Sequence, residues 1–252
     1  MSIAVEIKNL SKHYKNVIAL SELSLDIRQG EIFGLIGPNG AGKSTTLKIL
    51  TTLLTPTSGS ATIFGVDVSE NPKLVRTMIS YLPEEAGSYK QLTGREYLEF
   101  MAGLLELPDE QSRAEVVKRG VGIASLGERI DDKTKEYSKG MRRKLLIARA
   151  LMSKPRLAVL DEPASGLDVK HAYYVRGIVK EYVRDIGITV LLSSHNMLEV
   201  EYLCDRVGLL DEGKLLDVGT PKELIAKYSA ENLEEVFIKA TSDMPEGKGV
   251  SV

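Results

Sequence analysis

YSKGMRRKLLIARALMSKPRLAVLDEPASGLD, residues 137–168, sets a helix opening with Ser138 and Gly140 just upstream of an apolar strand that ends in Asp161-Glu162. Leu157 to Leu160 is a short apolar run, the pattern of a strand buried on both faces in a parallel sheet. Asp161 and Glu162 stand at its carboxyl end, where two acids can hold a metal ion and a water. Acids at a strand mouth also serve as helix caps or surface charges, so their meaning depends on whether a phosphate site exists elsewhere in the chain.

One does. Residues 37–45, GPNGAGKST, fit G-x-x-x-x-G-K-[ST], follow the apolar run Ile32 to Ile36 and open a helical pattern from Ser44 to Leu54. The motif comprises Gly37, Pro38, Asn39, Gly40, Ala41, Gly42, Lys43, Ser44 and Thr45. Its glycines let the backbone turn without Cβ clashes, so that successive amides and a helix N-terminus face the phosphates of a nucleotide. Lys43 adds a point charge. Ser44 offers a hydroxyl to a phosphate-bound Mg²⁺, with Asp161 as the second partner through water.

With these motifs in this order, the chain resembles the nucleotide-binding subunit of an ABC transporter, from about Ile3 to Thr241. The resemblance implies an α/β, P-loop NTPase fold: a RecA-like, mostly parallel core sheet, an N-terminal antiparallel β layer and an inserted α-helical subdomain. The expected boundaries are an ATPase domain at 1–228, with its nucleotide-binding core at 1–87 and 155–228 and the helical subdomain at 88–154, then a C-terminal tail at 229–252. By the same resemblance, Lys43 and Ser44 bind phosphate and metal, Asp161 organises the metal, Glu162 is the general base, and Asp168 marks the loop that touches a partner subunit. Ser138 and Gly140 match the signature motif, which closes over the nucleotide of a second subunit. His195 matches the histidine beyond the next strand, Ile188 to Ser193, and is expected on the same sheet edge as Asp161. Tyr14 lies where the family stacks an aromatic on adenine, or is a strand-edge tyrosine. The cofactors implied are ATP and Mg²⁺, and the partners a transmembrane permease subunit and a second ATPase subunit, as homodimer or heterodimer.

Two departures stand out. Where the family has a glutamine that contacts Mg²⁺ and water, this chain places Glu84 in Tyr81-Leu82-Pro83-Glu84, a residue of the same shape whose charge attracts the metal and repels phosphate. The usual signature, leucine-serine-glycine-glycine-glutamine, is here Tyr137-Ser138-Lys139-Gly140-Met141. Ser138 still suits a helix N-cap, and Lys139 either adds charge beside a γ-phosphate or points to solvent. The segment around Glu84 and the tail resemble export systems of the ABC-2 group, for drugs, sodium or lipid-linked cargo. The alternative is a soluble ABC-type ATPase acting on ribosomes or nucleic acid, or a cassette that binds without turning over.

Composition fits. The 252 residues, 43% hydrophobic, can bury a full core, and a net charge of −2 gives no footprint for nucleic acid. No apolar run reaches eighteen residues, and the N-terminus lacks a signal-peptide layout, so the expectation is a cytoplasmic protein held at the membrane face by its permease. The single cysteine, Cys204, reads as a buried small hydrophobe. Arg142-Arg143-Lys144 read as the solvated face of the signature helix.

Along the chain, Ile3, Val5 and Ile7, then Leu23, Leu25 and Ile27, alternate as strands buried on one face. Residues 61–65, ATIFG, are expected to join that antiparallel layer. From about Thr93 to Lys154 the pattern is helical with a break at Pro108-Asp109. The signature helix should bury Leu145, Ala148 and Leu151 or Met152 and stop before Pro155. Val169 to Ile186 reads as a crossover helix closed by Gly187, with Tyr173 and Tyr174 packed. A short helix through Cys204, a hairpin turning at residues 211–214, a helix after the capping box at Thr220, an amphipathic segment from Asn232 to Thr241 and an aperiodic end from Ser242 to Val252 complete the chain.

Overall fold

The computed structural model describes residues 2–242, apart from the side chains at 198 and 199. The chain divides into two compact units, Met1–Pro72 with Ser193–Val252, and Lys73–Leu192.

In the first unit, β1 (Ile3–Tyr14) and β2 (Val17–Arg28) pair antiparallel, Ile7 opposite Leu25. β3 (Ile32–Ile36) is buried at all five positions and leads into α1 (Lys43–Leu50). β4 (Ser58–Ile63) pairs antiparallel with β1, placing Val5 opposite Ile63, and β5 (Val66–Asp67) closes the sheet in the order β2-β1-β4-β5. This is the antiparallel layer expected from ATIFG. Two local expectations fail. Ile3 is exposed while Ala4 and Val5 are both buried, because the β1/β2 register shifts between Ile3 and Val5 and breaks the alternation. The first helix stops at Leu50 rather than Leu54: Thr52 turns to φ +61, and the amides of Leu53 and Leu54 both return to the Lys48 carbonyl. Two consecutive threonines are weak helix formers.

α2 (Pro72–Met78) opens the second unit and is followed by β6 (Ile79–Leu82). Several of its helices start on side-chain caps that satisfy first-turn amides. Thr93 and Glu96 form a capping box on α3 (Gly94–Gly103), Asp109 caps α4 (Glu110–Ala124), and Ser138 accepts from the Met141 amide to start α5 (Lys139–Leu151). Leu145, Ala148, Leu151 and Met152 are all buried, as the signature-helix pattern requires. β7 (Leu157–Asp161) is buried throughout and runs parallel to β6, Tyr81 opposite Val159. Asp168 caps α6 (Val169–Ile186), which Gly187 ends in the left-handed conformation. Along α6 the buried stripe is Val175, Val179 and Tyr182, so Tyr173 lies off it and is 66% exposed, contrary to the packed role expected. Tyr174 does pack: its hydroxyl donates to the Ile123 carbonyl and Lys144 sits over its ring.

β8 (Thr189–Ser194), fully buried, carries the chain back to the first unit. There α7 (Met197–Leu203) precedes the hairpin of β9 (Arg206–Asp211) and β10 (Lys214–Gly219), and β9 pairs parallel with β3, Leu35 opposite Gly208. Cys204 is buried. Thr220 and Glu223 form the capping box of α8 (Pro221–Lys227), with proline in the first turn. α9 (Leu233–Ser242) takes in Ser242, and the rest of the expected aperiodic end lies outside the described residues.

Candidate functional site

The residues singled out from sequence fall into two groups, one in each unit. In the first unit, the loop 37–42 joins a fully buried strand to α1, so its position is set by core packing at Phe33, Leu35, Leu47 and Leu50. Gly42 precedes the helix at φ +104, and a Cβ there would come within 2.7 Å of the Ala19 carbonyl and of Leu20. Only glycine fits. Gly42 contributes no side-chain cap to α1, whose N-terminus is the end of a helix at which backbone amides can meet an anion. The Lys43 ammonium is buried and donates to the carbonyls of Gly37 at 2.6 Å and Pro38 at 3.0 Å. Pro38, Asn39 and Gly40 are exposed and Ala41 buried; Ser44 and Thr45 are half-buried.

The hairpin turn holds this loop from behind. Gly213 donates its amide to the Ala41 carbonyl at 3.0 Å and accepts from the Ser21 amide at 2.9 Å. In the sequence Gly213 reads only as a turn residue, and no local pattern marks so distant a contact. In the same unit Tyr14 ends β1, is 44% exposed as a residue, and has Lys12 Nζ 5.2 Å from its ring centroid. His195 is exposed and follows β8 directly.

The second unit gathers Glu84, Ser138, Gly140, Asp161, Glu162 and Asp168. Asp161 ends β7 and is 3% exposed; Glu162 follows at 5%, with φ +50, a left-handed conformation that a non-glycine residue adopts at a cost of about 1–2 kcal/mol. Burial, and then the Asp161 carboxylate, push the Tyr81 phenol up to about 12, so Tyr81 stays protonated beside that acid. Glu84 is exposed on the loop after β6.

Arg143 corrects the reading of the basic run as a solvated face. It is 8% exposed and donates to four backbone carbonyls: from Nε to Pro163 at 2.7 Å, from Nη2 to Asp161 at 3.1 Å and to Glu162, and from Nη1 to Glu84 at 3.3 Å. Burial pulls its pKa down, against the pull of the Glu84, Asp161 and Glu162 carboxylates. Arg142 also turns back, to the Tyr137 carbonyl, and Arg149 holds the Tyr81 carbonyl at 2.7 Å. The signal was present in the sequence. Gly140, Arg143 and Ile147 share the i, i+3, i+7 stripe that also carries the buried apolar residues of the helix.

The altered signature has a local rationale. Tyr137, in place of leucine, is buried, with its hydroxyl donating to the Arg129 carbonyl at 2.8 Å, and a Cβ on Gly94 would come within 2.3 Å of that hydroxyl. Ser138 and Lys139 are exposed. The Lys139 ammonium lies against Gly166.

The implied metal can be judged by its donors. Ser44 in the first unit offers a hydroxyl oxygen, and Asp161 and Glu84 in the second offer two carboxylates, the hard oxygen donors that Mg²⁺ takes. Among the described residues no three His, Cys, Asp or Glu side chains cluster as a metal site. An ion carried on nucleotide phosphates needs only one or two protein oxygens, so the residues fit.

The family model described as ABC transporter matches residues 20–165. The chain belongs to the ABC transporter family. It is 34% identical over 242 residues to the linearmycin resistance ATP-binding protein of Bacillus subtilis (strain 168), across 95% of this chain and 76% of that protein. It is 36% identical over 239 residues to the Nod factor export ATP-binding protein I of Mesorhizobium japonicum, across 94% and 69%. Among solved structures it is similar to a dimeric ATP-binding cassette in a post-hydrolysis state bound to ADP and Pi, with TM-score 0.77 and 26% identity, covering 86% of this chain and 98% of that one. This ABC cassette therefore has the P-loop NTPase fold and the ATP-binding, ATP-hydrolysing activity of its family. No helix among its described residues is long and apolar enough to cross a membrane.

Proposed function

We propose that this ABC ATPase energises a membrane exporter, with its permease as a separate chain, and that Lys43, Ser44, Asp161, Glu162 and His195 act on one ATP while Ser138 and Gly140 close over the ATP of a second subunit. The names of the matched relatives, one a resistance and one an export protein, favour this over action on ribosomes or nucleic acid. Mg²⁺ carried with the nucleotide would neutralise phosphate charge, held by Ser44 and Asp161 and, through its carboxylate, Glu84. Lys43 neutralises β- and γ-phosphate charge from within the loop, and the amides of Gly40 to Ser44 direct their dipoles at the same oxygens. Glu162 accepts the proton of the attacking water, and His195 supports the charge on the transferring phosphoryl group. Tyr14 stacks on the adenine ring.

The observation that carries the two-subunit reading is the division of labour along α5. Its N-terminus presents Ser138 to solvent, while Arg143, one turn on, reaches inward to the backbone of the acids. One helix thus serves its own acids at one end and faces outward at the other. For the permease, the exposed Tyr89 and Phe100 rings, edge-to-face at 5.2 Å on the second unit beyond Glu84, offer an aromatic docking pair.

Glu162→Gln tests the reading. It should keep ATP binding, abolish turnover and shift the protein to an ATP-held dimer, measured by size-exclusion chromatography with light scattering in saturating Mg-ATP. A species that stays monomeric at all protein concentrations would overturn the two-subunit arrangement.

A further inference from the structure

Arg143 is buried beside the acids and donates four hydrogen bonds, all to backbone. Three of its four acceptors are the consecutive carbonyls of Asp161, Glu162 and Pro163, and the fourth is the carbonyl of Glu84. Consecutive carbonyls converge on one point only where the chain curls, and the curl here is centred on Glu162 at φ +50. A left-handed non-glycine residue persists only where its surroundings over-determine it. The buried guanidinium does this, with donors in a rigid planar fork that a point-charge ammonium cannot reproduce.

We infer that Arg143 is a positioning residue for ATP hydrolysis, fixing the backbone that aims the Glu162 carboxylate and tying that turn both to the Glu84 loop and to the helix whose N-terminus bears Ser138. This rests on the reading of Glu162 as the general base. The contacts are to backbone, so Arg143 sets geometry without itself handling a proton or phosphate. A displacement of the base by about 1 Å can cost on the order of a hundredfold in rate. Loss of Arg143 should therefore lower kcat while leaving nucleotide affinity, to which Lys43, the phosphate loop and Tyr14 contribute in the other unit, nearly untouched.

The test compares Arg143→Ala, Arg143→Lys and Arg143→Gln with wild type and Glu162→Gln in the full chain. Single-turnover ATP hydrolysis, binding of a fluorescent ATP analogue and hydrogen exchange of the peptide spanning residues 158–168 are measured for each. Arg143→Ala should lose at least about tenfold in hydrolysis rate, keep analogue affinity within about threefold, and lose exchange protection in that peptide. Arg143→Lys should recover protection only in part, and added ethylguanidinium should restore part of the rate of Arg143→Ala. Should Arg143→Ala fail to fold, Arg143→Gln carries its expectations and Arg143→Lys the intermediate ones. Wild-type rates and protection in a folded variant, or equal losses of rate and affinity, overturn the proposal. Full turnover in Glu162→Gln would instead overturn the assignment of the base, whereas loss there with wild-type rates in the Arg143 variants removes only the role of Arg143.

Discussion

The Gly140 backbone lies directly against the His171 imidazole, so that a Cβ at Gly140 would come within 2.4 Å of the ring. The ring is itself held in place, with Nδ1 2.7 Å from the Asp168 carboxylate that caps α6 through the His171 amide. The signature glycine is thus bound to the loop residue Asp168 through one imidazole. Gly140→Ala should push the ring aside and destabilise the fold by about 1–3 kcal/mol, or several degrees in Tm for a chain of this size. Adding His171→Ala removes the obstacle and should recover most of that loss. Thermal unfolding of the two single variants and the double variant checks it: additive losses would show that the ring does not dictate the glycine.

Lys43 links binding to the integrity of its loop, because its ammonium already bridges the Gly37 and Pro38 carbonyls. Hydrogen bonds from a charged donor contribute about 1.5–3 kcal/mol, and the loss of this donor is felt most at the buried Gly37 carbonyl. Lys43→Ala should lower Tm by several degrees and weaken Mg-ATP binding by at least about tenfold, a change of about 1.4 kcal/mol. Fluorescent-nucleotide titration beside thermal unfolding reads both. Unchanged affinity with a lowered Tm would reduce Lys43 to a loop brace.

The elements that position the loop and the acids were legible because each is written in a short local pattern. An apolar strand, glycines and a helix start define the phosphate loop, and β7 needs only its apolar run and the two acids that follow. Side chains that act across the fold were harder to place. Arg142-Arg143-Lys144 looks uniform as a string, yet residues one apart on a helix point about 100° from each other, and only Arg143 falls on the buried stripe. Tyr173 and Tyr174 divide for the same reason. The β1 register shift and the early end of α1 depend on backbone turns at single residues, which periodicity averages away.

Asp217 supplies a pH-dependent contribution in the first unit. Its side chain, 14% exposed, accepts from Lys227 Nζ at 2.6 Å and from the Tyr228 hydroxyl at 3.0 Å, fastening the end of α8 to β10. Burial opposes its ionisation, but Lys227, Tyr228 and the Val218 amide together outweigh burial and hold the carboxyl below its ordinary value. A carboxyl depressed in the folded state adds stability that is present above its unfolded pKa, near 4, and is lost as the pH falls through its folded value. Lys227 is largely exposed, so solvent screening limits the pair to about 0.5–1 kcal/mol. Asp217→Asn should therefore be less stable than wild type at pH 7 by about that amount, and the difference should shrink below pH 4. Urea unfolding at pH 7, 5 and 3 measures it, and repetition in 1 M NaCl should narrow the gap at pH 7. A gap that is constant across the three pH values would mean that the contribution comes from packing and neutral hydrogen bonds, not from the charge of Asp217.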